Sequence, residues 1–209
     1  MRRFWKTTAP RMSVKALDSD NAITDPVWFA QAYAEGFRLY ILSTTEWGGC
    51  VPLARTQAQL KMALDAGLTI AAYTRDPKCW RAGILATGPY RSQLQFFALD
   101  IETGGPALTR AMVTGVQGLG VRPVIYSGSE MWAELMGESR DFSDVALWDT
   151  AAGPLDYPIW TADVLSPTPV PYGGWNTPGN MRIGVQQEFE RTLNRIKIDL
   201  NSFSAAFLS

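Results

Sequence analysis

Short, β-branched apolar runs alternate with helix-period segments along most of this chain, and few architectures accommodate that rhythm. "SVKALD" (13–18) predicts a strand, and "DPVWFAQAYAEGF" (25–37) a helix with Asp25 as its cap and Pro26 in its first turn. "RLYILST" (38–44) predicts the next strand, "LARTQAQLKMALDAGL" (53–68) a helix stopped at Gly67, and "TIAAYT" (69–74) a third strand. A helix across Gly83–Leu94 leads into the strand "FFALDIE" (96–102). A helix over Ala107–Leu119, the strand "RPVIYS" (122–127), a short helix over Ser129–Met136 and the strand "VALWDT" (145–150) follow. Beyond that the rhythm loosens. "PIWTADV" (158–164) predicts a strand, 166–180 is a Pro/Gly/aromatic loop, and two apolar runs, "RIGVQQEFE" (182–190) and "RIKIDLNSF" (195–203), close the chain.

Repeated strand–helix units with tight loops predict an α/β fold built on a parallel sheet. Seven or eight strands over about 200 residues suit a modified (β/α) TIM-like barrel with reduced helices in the C-terminal part. A doubly wound open sheet is the alternative, but "ALDSDNAIT" stands where a Gly-rich phosphate loop would follow the first strand. No linker or internal repeat divides the chain, so the expectation is one catalytic domain over 1–209, with 1–12 as an N-terminal extension.

The chain has no histidine, which removes Ser-His-Asp and Cys-His nucleophile systems and His-rich zinc sites. Acid/base work near neutral pH then falls to carboxylates, Tyr or Lys. Net charge is −1 with the cations scattered, so no electrostatic footprint for nucleic acid is present. The basic N-terminus carries no apolar run long enough for a signal peptide or membrane span, which predicts a product made in the cytoplasm. For such a product Cys50 and Cys79 are by default two free thiols, with a disulfide open if they meet in space. Eight tryptophans and seven tyrosines either fill the core or line a cleft that stacks flat ligand faces.

"FFALDIE" carries the chemistry. Side chains alternate along a strand, so Ala98, Asp100 and Glu102 share one face, and Phe97, Leu99 and Ile101 the other. In a barrel the first set faces the lumen, with the two acids at the C-terminal mouth. Spacing alone is weak: about two acid-x-acid triplets are expected by chance, and the chain has Asp18/Asp20, Asp100/Glu102 and Glu188/Glu190. Position discriminates better. Asp18 ends the first strand, Glu46 follows the second, and Asp199 sits in the last apolar run. Acids at one end of successive strands converge in a barrel and repel one another unless function requires them. Tyr73, Tyr126, Trp148 and Trp160 stand at or near strand ends, as core residues or as platforms for sugar rings.

"VKALDSD", "ALDIE", "RPVIYSGSEMW", "ALWDT" and "IKIDLNSF" stand in an order and spacing that resembles glycoside hydrolase family 25, the muramidase-type lysozymes, many of them bacteriophage endolysins. The resemblance spans roughly Val14 to Phe203. It implies a modified β/α barrel that cleaves the β-1,4 bond between N-acetylmuramic acid and N-acetylglucosamine in peptidoglycan. It also implies that Glu102 is the general acid, Asp100 its partner, and Asp18 and Asp199 the other cleft carboxylates. Two close carboxylates push their proton affinities apart, and the residues themselves are read with the proton on Glu102 and Asp100 ionised. Glu46, Tyr73, Tyr126 and Trp148 would bind substrate. Thr74 replaces the family's usual histidine after strand three, and Val185-Gln186-Gln187 its usual Trp-Gln-Tyr, departures that bear on substrate subsites.

The expected protein is thus a monomeric hydrolase with bacterial peptidoglycan as its partner. No cofactor, metal, nucleic acid or stable membrane association is expected. It would be made in a host cytoplasm and act on the cell wall, with an inverting and a substrate-assisted retaining path both open. A catalytically weak barrel that binds cell-wall glycan is the runner-up. A carboxylate-rich barrel using a divalent metal on another substrate is a third reading.

Overall fold

The structure, a computed structural model, describes residues 13–150, 170, 172–175 and 182–209. The predicted extension 1–12, the predicted strand 158–164 and Trp160 lie outside the described residues. Eight strands close into a barrel in chain order: β1 (Ser13–Ser19), β2 (Phe37–Ser43), β3 (Thr69–Thr74), β4 (Leu94–Asp100), β5 (Pro123–Ser127), β6 (Ala146–Thr150), β7 (Arg182–Leu193) and β8 (Ile196–Ser204). Strands β1 to β7 pair in parallel, whereas β8 runs antiparallel to both β7 and β1. The reason is the connection. Asn194 and Arg195 both hold positive φ (47° and 71°), forming a two-residue hairpin turn between β7 and β8. A turn that short can join only antiparallel strands, since a parallel pair needs a long crossover.

Helices α1 (Pro26–Ala34), α2 (Thr56–Asp65), α3 (Trp80–Ala86), α4 (Arg110–Gly118) and α5 (Ser129–Met136) follow the first five strands. Asp25 caps α1 by accepting the Val27 N–H at 2.9 Å. Gly67, at φ 91°, ends the α2 turn in the left-handed region where a side chain is strained. Several helices are shorter than the sequence reading: α1 ends at Ala34, where the reading ran to Phe37, and α4 begins at Arg110 instead of Ala107. Leu53 precedes α2 in a turn whose carbonyl accepts the Thr56 hydroxyl at 2.8 Å. The helix expected across Gly83–Leu94 is instead α3 plus a 3₁₀ stretch, Gly88–Gln93, because Gly88 has φ 55° and Pro89 lacks an N–H.

Alternation sorts the strands into two cores. Ala16, Phe96, Ala98, Tyr126, Trp148 and Phe203 pack together in the lumen. Leu17, Tyr40 and Leu42 face α1 and α2, and Phe97, Leu99 and Leu147 face α4 and α5. Each such side chain, fully buried, contributes about 1.5–3 kcal/mol. The two-sided pattern is why the strands read as nearly continuous apolar runs.

Cys50 and Cys79 form a disulfide with Cα atoms 4.8 Å apart, in place of the default of free thiols. The bond ties the β2–α2 loop to the 3₁₀ turn Pro77–Cys79 after β3, a proximity that a separation of 29 residues hides. Closing a loop of that length restricts the unfolded chain, so Cys50→Ser with Cys79→Ser is expected to cost about 2–4 kcal/mol. Urea unfolding with and without reductant checks this: reductant should reproduce the double variant and leave that variant unchanged.

Candidate active site

The barrel brings acids from three strands to one mouth. Asp18 stands next to last in β1, and Asp199 lies directly opposite it in the antiparallel β1–β8 pairing. Asp100 ends β4 and pairs in register with Tyr126 of β5, which pairs with Trp148 of β6. Glu102 follows two residues later on the same face. Asp18, Asp100, Glu102 and Asp199 line one cavity of about 610 Å³ together with Tyr73, Arg75, Tyr126, Trp148, Gln186 and Phe189. Glu46 does not line it, standing exposed on the loop after β2.

Two polar relays hold the Asp18–Asp199 side. The Trp148 indole can only donate, and it donates to Asn201 Oδ1 at 2.8 Å. That orients Asn201 so that its Nδ2 donates to Asp18 Oδ2 at 2.6 Å. The Tyr126 hydroxyl donates to Gln186 Oε1, which turns Gln186 Nε2 toward Asp199 Oδ2 at 2.8 Å and Asp18 Oδ2 at 3.3 Å. The Glu190 backbone N–H donates to the other Asp199 oxygen at 2.6 Å. Burial, then the charge of Asp199, pushes the Asp18 carboxyl well up from its ordinary range, against the Asn201 hydrogen bond. Asp199 is also raised, chiefly by burial, with the Glu190 N–H opposing.

Asp100 is in a different setting. It is 3% exposed, and no described residue donates to its Oδ1. Burial first, and the Glu102 charge second, push its carboxyl well up, with Arg75 opposing. Glu102 is more open and accepts from Arg75 Nε at 3.0 Å. The sequence reading put the proton on Glu102 and the charge on Asp100. The enclosed setting of Asp100 favours its neutral form, while the more open Glu102 lies against the Arg75 guanidinium.

No protein-family model matches the chain, and no curated protein matches it. Solved structures do. The chain is similar to a muramidase from Acremonium alcalophilum, at 20% identity and TM-score 0.58, over 93% of this chain and 96% of that one. It is similar to a muramidase from Trichobolus zukalii, at 19% identity and TM-score 0.59, over 92% and 94%. It is also similar to the catalytic domain of endolysin ply40 from bacteriophage P40 of Listeria monocytogenes, at 16% identity and TM-score 0.63, over 96% and 97%. At these identities the likeness establishes the fold, a TIM-like α/β barrel of eight strands.

Tyr126 and Trp148 are buried and stack edge-on at 4.6 Å, so they floor the cavity and orient its polar relays more than they offer an open face. Tyr73 meets Trp148 edge-on at 6.4 Å. The open aromatic face on the cavity belongs instead to Phe189, 53% exposed, on the β7 arm of the hairpin. Phe189, Arg75, Gln186 and Asn201 were absent from the sequence-derived site. Asn201 lay within "IKIDLNSF" and Gln186 within the Val185-Gln186-Gln187 triplet, so inward parity with Asp199 could have found the first. No sequence signal pointed to Arg75, a single loop cation. Among the described residues no group of three or more His, Cys, Asp or Glu is arranged to hold a metal ion.

Proposed function

We propose that the chain is a muramidase-type glycoside hydrolase that cleaves the β-1,4 bond between N-acetylmuramic acid and N-acetylglucosamine in bacterial peptidoglycan. The observation that carries this reading is the meeting of Asp18, Asp100, Glu102 and Asp199 on one open cavity in a chain without histidine. The likeness in fold to solved muramidases supports it. Likeness in fold to an endolysin catalytic domain supports action on the bacterial cell wall, and with it a role in phage-mediated lysis.

Glycosidic cleavage needs a proton at the leaving oxygen and an anion near the oxocarbenium-like centre. Glu102, the more accessible of its pair, delivers the proton. Asp100 stores that proton at rest, and once it has passed it to Glu102 its own anion faces the developing cation. Such a handover suits two carboxylates whose environments push their proton affinities apart. Asp18 and Asp199, fixed by Gln186 and Asn201, shape the field without donating. Phe189 offers a sugar ring an apolar face.

The Arg75–Glu102 ion pair also gives weight to a second reading, a catalytically weak barrel that binds wall glycan, because a compensated carboxylate is a poor proton donor. Reducing-end release from purified peptidoglycan, with and without a chelator, separates the readings. A muramidase releases ends in both conditions, a binding barrel sediments with the glycan and releases none, and a metal enzyme stops with the chelator. Asp18→Asn and Asp199→Asn are each expected to lose less than about 10² in rate, below the upper range for a removed general acid. If either variant is more inactive than Glu102→Gln in the same assay, the roles are reversed.

A further inference from the structure

Arg75 lies between two cavities. One is the carboxylate cleft; the other, of about 270 Å³, is lined by Trp47, Gly48, Arg75, Asp76, Lys78, Gly104, Gly105 and Pro106. The guanidinium lies over the Trp47 ring at 3.9 Å and spends only its Nε on Glu102. Its two Nη groups have no hydrogen-bond partner among the described residues, and neither does the Lys78 ammonium. The cavity's one carboxylate, Asp76, is turned to its own backbone, where Oδ1 accepts the Lys78 N–H at 2.9 Å. Glycines 48, 104 and 105 leave the walls bare. The floor is also fixed: the Cys50–Cys79 disulfide and a 2.6 Å Thr45–Thr74 hydroxyl contact tie the Trp47 loop to the segment bearing Arg75 and Lys78. Two cations, an aromatic platform and a preorganised open pocket together make a receptor for a carboxylate on a flexible substituent.

We propose that Arg75, Lys78 and Trp47 form an anion subsite that takes a carboxylate borne by the lactyl or peptide substituent of the muramic acid, in competition with Glu102 for the Arg75 charge. This rests on the peptidoglycan reading of the cleft. It makes the acid substrate-responsive: an incoming carboxylate shares or takes the cation that compensates Glu102, and the proton held by the pair then moves to the open member. It also gives Arg75 a specificity role that a purely structural ion pair would not have. Substrates without a carboxylate would leave the Arg75–Glu102 contact in place.

The test is a set of dissociation constants measured by NMR titration. Three ligands are used: N-acetylmuramic acid, whose carboxylate is the lactyl one; muramyl dipeptide, whose carboxylate is on the peptide; and the same dipeptide fully amidated. Wild type should prefer at least one anionic ligand over the amide, and the preferred one identifies the source. Glu102→Gln should bind that anion about fivefold tighter, the scale of one partly exposed ion pair, with no gain for the amide. Arg75→Gln should lose most of the preference, Arg75→Lys, which keeps the charge, should restore part of it, and Arg75→Gln with Lys78→Gln should bind anion and amide alike. Equal binding of all three ligands by wild type, or a preference that survives the double variant, overturns the subsite and leaves the glycan reading standing. Binding of none of them overturns both.

Discussion

Glu102→Gln is expected to lose about 10²–10⁴ in turnover, the usual contribution of a positioned general acid, while still sedimenting with insoluble peptidoglycan. Gln keeps the length and much of the hydrogen bonding of the side chain but has no proton to deliver. Phe189 and the other three acids remain to hold substrate. The wild-type pH–rate profile should show carboxylate limbs alone, since no histidine is present to titrate. Its optimum is expected on the acidic side of neutral. Asp100 is pushed up by burial, so the pair keeps its proton above the ordinary carboxylate range and loses it as pH rises further. A flat profile from about pH 5 to 9 would contradict carboxylate acid catalysis.

Asp100→Asn should be slower and more heat-stable at once. Turnover should fall by about 10², because the pair loses the group that stores the proton and then faces the developing charge. Stability should move the other way. A carboxyl whose proton affinity is raised on folding stabilises the fold fully below its unfolded range, and that contribution is lost as pH climbs through the folded value. At neutral pH wild type therefore carries a buried carboxyl, without a donor to Oδ1 among the described residues, that either binds a proton from dilute solution or ionises in an apolar site. Asn removes that cost. Each kcal/mol released should raise Tm by about 2–4 °C for a chain of this size. The difference between variant and wild type should shrink toward pH 4, and a gain independent of pH would mean that Asp100 does not bear the proton.

What was legible in the sequence was local. The alternation in "FFALDIE" correctly sent Ala98 inward and Phe97, Leu99 and Ile101 outward, because a two-sided core writes its period directly into a strand. Strand β3 and helix α5 begin and end where their patterns do. What escaped was long-range. The Cys50–Cys79 bond depends on two loops meeting, and the antiparallel β8 on positive φ at Asn194 and Arg195, residues of which only Asn commonly favours it. The raised proton affinity of Asp100 depends on its burial, and the Arg75–Glu102 contact joins residues 27 positions apart, neither of which spacing encodes. Glu46 shows the converse. It follows a strand like the other acids, yet its loop turns away, with the Glu46 N–H donating to the Val51 carbonyl at 2.9 Å.

The most direct test is the identity of the new reducing end. Purified peptidoglycan is digested with wild-type protein, the products are reduced with borohydride, and the terminal sugar alcohol is assigned by mass spectrometry. The account predicts that N-acetylmuramitol accumulates with wild type, in the presence of chelator, and is lost with Glu102→Gln. Accumulation of N-acetylglucosaminitol instead, or no new reducing end from a folded protein that binds the glycan, would contradict it.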